Sequence, residues 1–321
     1  MIGCFLLFVY LPTFQWLSEV PQGFFHPPPV SLARLFTDFP GKFGAMTIDL
    51  FMVMATACLT LGIRARLASV VLALTYLVGA SFQLSFGKID HASLFPLTLL
   101  CFSLSNWGCR LALFPDREWR RDWLAGALTA VFICLGMLTA GYYKARGWID
   151  FDLGTSGFLN WFYISLFGEY NLVPADIVLS ITPYGFECLD YLAVLFELSP
   201  FFFLLVGPRS WRIWIVAACL FHLSTTLLLG IHFLTHAVVY LPFLVSGRPW
   251  FRDRPGLPRW LVVAVGLAAF LHVALRYSGL PAVHLLLPVA WLPPAATLWI
   301  GMVAWVVLFL VGLVRLRSPS G

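Results

Sequence analysis

The sequence predicts an all-α, polytopic transmembrane bundle of about eight to ten helices. Three observations predict it. Of 321 residues, 60% are hydrophobic and only 11% are charged, with a mean hydropathy of +0.88. Soluble domains carry about 25% charged residues. Apolar runs of spanning length recur from one end of the chain to the other, and arginines gather in every second loop between them.

A spanning helix needs roughly 20 apolar residues, about 17–25 in practice. Such runs lie at 2–18, 43–62, 67–86, 91–107, 123–143, 187–207, 212–230, 232–246, 259–277 and 296–314. The runs at 2–18, 91–107 and 232–246 are short, so one of them is a candidate re-entrant segment. The first, "MIGCFLLFVYLPTFQWL", lacks a basic leader and an Ala-x-Ala-like cleavage site, and reads as a helix rather than a cleaved signal. A barrel is not expected, because no run alternates apolar and polar residues. No internal repeat is visible, and the whole of 1–321 reads as a single transmembrane domain.

The arginines set the expected orientation. Arg64 and Arg66 follow the second run, and Arg110, Arg117, Arg120 and Arg121 the fourth. Arg209 and Arg212 follow the sixth, Arg248, Arg252 and Arg254 the eighth, and Arg315 and Arg317 the tenth. Basic loops stay cytoplasmic. Both termini are therefore expected inside, in a bacterial inner membrane, and the long segment 144–186 outside. That segment is rich in Trp, Tyr, Gly and Asn, and is expected to lie on the membrane surface or to fold over the bundle as a lid.

Several function classes fall away. The net charge of +5 is modest and forms no basic face, so nucleic acid is not an expected partner. The seven cysteines (Cys4, Cys58, Cys101, Cys109, Cys134, Cys188 and Cys219) are scattered, mostly within apolar runs, and form no CxxC. They read as small hydrophobes. No Walker, Rossmann or HExxH motif occurs. His232 and His236 stand one turn apart but lack a third ligand at suitable spacing, so no metal is predicted.

What remains are polar residues that membranes rarely tolerate. Asp90 and His91 open the fourth run in "FGKIDHASLFPLTLLCFSLSNWG". They read either as a polar first turn with an N-cap or as part of a site. Lys144 closes the fifth run in "AGYYKARGWIDFDLGTSG". A lysine there either snorkels to the interface as an anchor or lines a buried polar site. The fourth and fifth runs form a hairpin, with His91 to Trp107 spanning about 24 Å and Trp123 to Lys144 about 32 Å. His91 and Lys144 are therefore expected at the same membrane face. His222, ten residues beyond Arg212, lies about 15 Å into the bilayer. There a histidine is either bonded to a neighbouring helix carbonyl or functional. Glu197, inside "YLAVLFELSPFFFLL", needs a partner or a proton, whereas Glu187 reads as nearer the interface and solvated. Together these groups suggest an outward-facing cavity for a lipid-soluble substrate that arrives sideways from the bilayer. Desolvation of an amine favours its neutral form, which is a general base.

Three segments carry a resemblance. "GKIDHASLFPLTLLCFSLSNWG", "AGYYKARGWID" and "FHLSTTLLLGIHFLTHAVVYLPFL" resemble the best-marked segments of the HTTM membrane domain, the family that includes vitamin K-dependent gamma-carboxylase and its bacterial relatives. The likeness is best over 30–250, with 251–321 as additional C-terminal helices. Its motifs are Asp-His at a helix mouth, Lys followed shortly by Trp, and Phe-His before a Gly-x-x-Phe stretch. The resemblance implies a lysine that deprotonates a reduced quinone, vitamin K hydroquinone or menaquinol. The quinol anion then reacts with dioxygen, and the resulting strong base enables carbon dioxide capture, with an epoxide as by-product. Carried over by motif, Lys144 matches the base, His91 the histidine that bonds the quinone oxygen, His222 the later Phe-His histidine, and Trp148 the tryptophan after the lysine. Asp90, Trp148 and Glu197 are the expected substrate-binding residues.

The likeness has departures. "IDFDLGTSG" follows the family only loosely, and the large domain that captures protein substrates in the animal enzyme is not expected beyond Gly321. Quinol oxygenation or epoxidation is thus the expected activity, ahead of protein carboxylation. The expected partners are the lipid bilayer, a lipophilic quinone and other membrane proteins. The alternative is a non-catalytic membrane subunit or a lipid- or quinone-binding scaffold. A transporter is a weaker third reading, because paired broken-helix repeats are not evident.

Overall fold

The computed structural model describes residues 2–29, 31–86, 93–109, 112–118, 123–167, 172–245, 258–277 and 294–317. Its described residues form helices and no strand. Five helices are long and apolar enough to cross a membrane: α2 (Lys42–Leu61), α3 (Ala65–Gln83), α5 (Trp123–Trp148), α10 (Pro208–Leu229) and the Leu298–Arg317 part of α13 (Pro294–Arg317). The pair α8 (Pro183–Leu198) and α9 (Pro200–Val206), bent by 45°, makes a sixth if taken as one span. Three apolar helical segments are shorter: α6 (Gly157–Phe167), α11 (Leu234–Val245) and the Arg259–Leu275 part of α12 (Arg259–Tyr277). The remaining helices are α1 (Ile2–Phe8), α4 (Leu94–Phe102) and α7 (Ala175–Leu179). This is the architecture of a multi-pass, all-helical membrane protein. Lipid is the natural neighbour of its exposed apolar stripes. On α13, for example, Val303, Val307, Leu310 and Val314 recur every three to four residues and are all exposed.

The chain divides into two compact units, 1–129 with 247–291 and 130–246 with 292–321. In the first, α2 and α3 form a tight hairpin. Gly62, at φ 65°, ends α2 in the left-handed conformation that glycine adopts without a Cβ penalty. Arg66 ties this turn to the chain after α4. Its Nε donates to the Ser105 carbonyl at 3.2 Å, its Nη2 to Asn106 Oδ1 at 3.2 Å, and its backbone N–H to Asp116 at 3.0 Å. Buried hydroxyls are satisfied within their own helices. Thr56 donates to the Met52 carbonyl, Ser69 to Ala65, Thr98 to Leu94 and Thr129 to Ala125, each four residues back.

The run at 2–18 is not one helix, which corrects the expected first span. Helix α1 ends at Phe8, and 15–19 form a 3₁₀ turn. Pro12 cannot supply a helical N–H, and Asp49 of α2 gives the non-helical chain an alternative. The Asp49 carboxylate, 1% exposed, accepts from the Phe14 N–H at 2.7 Å and from the Thr13 hydroxyl. Phe14 then lies against Gly79 of α3, where a Cβ would come within 2.3 Å of its ring. His272 of α12 donates from Nε2 to the Leu7 carbonyl at 2.8 Å, satisfying a buried carbonyl in the last turn of α1. Asp49→Ala should therefore lower stability by about 3 kcal/mol, the size expected when buried donors lose their acceptor. Thermal unfolding in detergent measures this; an unchanged midpoint would mean that Asp49 does not hold the chain there.

In the second unit, α10 packs along α13. Gly312 admits Val216, and Gly301 admits His232, at 2.5 Å from where a Cβ would stand, a distance no Cβ could keep. The run at 187–207 is also not a straight span. Pro200 cannot donate a helical N–H, and the chain bends at Ser199. The Ser199 hydroxyl fills the gap, donating to the Phe196 carbonyl at 2.7 Å and accepting from the Trp214 indole at 3.0 Å. Helices α6 and α7 pack against α8 and the end of α10. Phe158 and Phe162 of α6 and Val178 of α7 make a cluster with Phe186 of α8, flanked by Leu228 and Leu229 at the end of α10.

Candidate functional site

Lys144 does not snorkel outward. Its ammonium forms an ion pair with the Glu197 carboxylate of α8, the side chains being 26% and 5% exposed. Two residues make this approach geometric. Gly141, one turn before Lys144, lets α5 close on α8; a Cβ there would stand 3.0 Å from Glu197 Cβ. Trp148, one turn after, places its ring 5.0 Å from Lys144 Nζ, within cation–π range. The ammonium is thus held between a carboxylate and an aromatic face.

Beside Glu197, Phe196 begins an aromatic ladder. It stacks on Trp214 (5.2 Å, 4°) and on Phe221 (4.7 Å, 28°), and Trp214 stacks on Trp211 (5.3 Å, 9°). Phe196 precedes Glu197 on α8, about 100° away around the helix, so the ladder and the ion pair leave α8 in different directions.

His222, 3% exposed, occupies an aromatic box in the same unit. Its Nε2 is hydrogen-bonded to the Tyr240 hydroxyl at 3.1 Å, and its ring stacks on Trp305 (4.7 Å, 23°). His236 and Phe233 complete the box at 5.6 and 5.1 Å. Trp305 is fixed in turn by its indole N–H, which donates to the His232 carbonyl at 2.7 Å. Tyr240 is fully buried and lies within electrostatic range of Glu197. The Lys144–Glu197 pair and the His222–Tyr240 pair belong to the same unit. Asp90 and His91 lie outside the described residues, so the expected grouping of His91 with Lys144 and His222 is described only for the latter two.

Helix α8 carries two more acids on the same face. Glu187, Asp190 and Glu197 are spaced i, i+3 and i+10, within about 80° of arc at 100° per residue. All three are buried. Glu187 is only 8% exposed, which corrects the expectation that it is solvated; α6 and α7 pack at this end of α8. Asp190, fully buried, accepts from the backbone N–H groups of Gly157 at 2.9 Å and Phe158 at 2.7 Å, capping the start of α6 from 33 residues away. Sequence reasoning missed Asp190 and Tyr240. The helical spacing of the three acids, and the one-turn spacing of His236 and Tyr240, were the available signals.

Outside the spans, Asp150 and Asp152 close a short loop after Trp148. The Asp150 carboxylate accepts from the Asp152 N–H (3.0 Å) and the Thr155 hydroxyl (2.9 Å), and these bonds hold its carboxyl below the usual carboxylate range. An open apolar crevice, lined by Leu35, Phe36, Phe39, Ile48, Val78 and Phe82, belongs to the first unit and contains none of these residues.

No family model matches the chain, and no curated protein or solved structure is similar to it.

Proposed function

We propose that the protein is a membrane enzyme that deprotonates a lipid-soluble quinol, with Lys144 and Glu197 acting as one proton-accepting unit. The observation that carries this reading is the ion pair between a half-buried Lys144 and a buried Glu197 at the end of a spanning helix, where an anchor would need no carboxylate. Lys144 is the more exposed partner and so the one that meets the substrate hydroxyl; Glu197 lies behind it. The ammonium passes its proton to Glu197, and the resulting neutral amine takes the quinol O–H proton. The products are quinolate, ammonium and a neutral Glu197 carboxyl. Total charge is unchanged throughout, which matters where uncompensated charge is costly. The quinolate, paired with the ammonium, is electron-rich enough to react with dioxygen. Oxygenation or epoxidation follows, and carbon dioxide capture is a further step of the same chemistry. The HTTM, gamma-carboxylase-like resemblance of the three motif segments supports this choice of substrate.

The second reading is a scaffold, favoured by the completeness of the ion pair, in which Lys144 and Glu197 merely clamp α5 to α8. Solvent extraction of purified protein distinguishes the two at the level of the ligand. The enzyme reading expects a co-purifying quinone, identified by mass spectrometry. A preparation folded by circular dichroism that neither contains nor takes up a quinone would remove its main support.

If basic loops stay cytoplasmic, Arg64 lies inside and Asp150 outside, and the proposed site opens to the outer leaflet. With cysteine introduced at each position, an impermeant thiol reagent should label position 150 in intact cells and leave position 64 unlabelled. The opposite pattern would reverse the orientation.

A further inference from the structure

We infer that Asp190 and Gly157 are positioning residues for the Lys144 ammonium and act through Trp148. The inference rests on reading the Lys144–Glu197 pair as the proton-transfer centre. Trp148 ends α5, and its ring faces Lys144 Nζ at 5.0 Å. The opposite support for that ring is the backbone of Gly157. A Cβ on Gly157 would fall 2.2 Å from three indole atoms, Cδ2, Cε2 and Nε1, so only glycine leaves room for the indole where it lies. Gly157 is fixed by its own N–H, which donates to Asp190 Oδ2 at 2.9 Å, while Phe158 N–H donates to Oδ1 at 2.7 Å. A fully buried carboxylate at the first turn of a helix both satisfies orphan donors and meets the positive end of the helix dipole.

The geometry makes α8 a common ruler. Glu197 stands seven residues, about 10 Å, beyond Asp190 on the same helix face. One rigid helix therefore sets the carboxylate beside the ammonium. Through Asp190, Gly157 and Trp148, it also sets the aromatic face that covers it. The indole keeps water from the pair and holds the amine on one path toward a substrate. Displacing it leaves Lys144 and Glu197 in place but loosens the amine between them. A general base loses rate when its geometry loosens, even when every reacting group remains.

The test is a double-mutant cycle on the full chain in detergent or nanodiscs. Gly157→Ala puts a methyl group where the indole lies; the glycine has an ordinary helical backbone, so alanine is tolerated there. Lys144 is read by peptide mass spectrometry after a short exposure to a small acylating reagent at fixed pH. Gly157→Ala should raise Lys144 acylation about tenfold, the size expected for losing a partly desolvated cation–π contact. In turnover of a reduced quinone it should lower kcat with little change in KM. In a Trp148→Ala background, which has no ring to displace, Gly157→Ala should add little to either readout. Asp190→Asn, which keeps one acceptor, should fall between wild type and Asp190→Ala.

Two results overturn the inference. One is an unchanged Lys144 acylation in Gly157→Ala. The other is an equal effect of Gly157→Ala in both backgrounds, because the substitution would then not act through the indole. If wild type turns over no quinol, the functional reading fails, and the acylation cycle still decides whether Asp190 and Gly157 position Lys144.

Discussion

Glu197→Gln is expected to destabilise the protein by about 3 kcal/mol, because it leaves the Lys144 ammonium without its counter-charge in an apolar interior. Lys144→Met should cost a similar amount by stranding the carboxylate of Glu197, which is only 5% exposed. The informative variant is the pair. Lys144→Met with Glu197→Leu replaces both charges by apolar side chains of similar volume, and such replacements are often neutral or stabilising. Thermal unfolding in detergent should therefore show two low midpoints and a double variant close to wild type. The double variant should nonetheless be inactive, since nothing remains to take a proton. Additive losses, with the double variant the least stable of all, would mean that the two groups are not coupled through the pair.

Lys144→Arg separates catalysis from anchoring. A guanidinium can keep the contact with Glu197, and with two N–H groups it can make it bidentate. Folding and melting should stay near wild type. Turnover should fall by about 10²–10⁴-fold, the usual contribution of a positioned base, because a guanidinium does not give up its proton near neutral pH. A clamp or interfacial anchor predicts full retention, as arginine satisfies both roles.

The long apolar helices were legible because length and composition alone specify them. Helices α2, α3, α5, α10 and α13 fall where the runs at 43–62, 67–86, 123–143, 212–230 and 296–314 were read. The failures were places where a tertiary partner overrode an apolar run. Phe8 ends α1 because Asp49 and His272 satisfy the chain that leaves it. Ser199 and Pro200 bend the α8–α9 pair, although Leu198 and Phe201 on either side are as apolar as any spanning residue. At the site, Lys144, His222 and Glu197 stood out because ionisable groups are rare in such runs. Their partners did not. Tyr240 looks like one more apolar-run aromatic until it is seen against His222, and Gly157 like one more loop glycine until Trp148 lies on it. Asp190 was hidden because its ligands are backbone N–H groups, which carry no signature in the sequence.

The central claim is that Lys144, backed by Glu197, removes a proton from a lipid-soluble quinol. Dioxygen uptake on adding reduced menaquinone, recorded for purified wild type and Lys144→Ala at matched folding, tests it most directly. The account predicts uptake by wild type that falls by at least about 10²-fold in the variant, with quinone binding retained. Equal uptake by the two proteins, or none by a folded wild type that holds quinone, would contradict it.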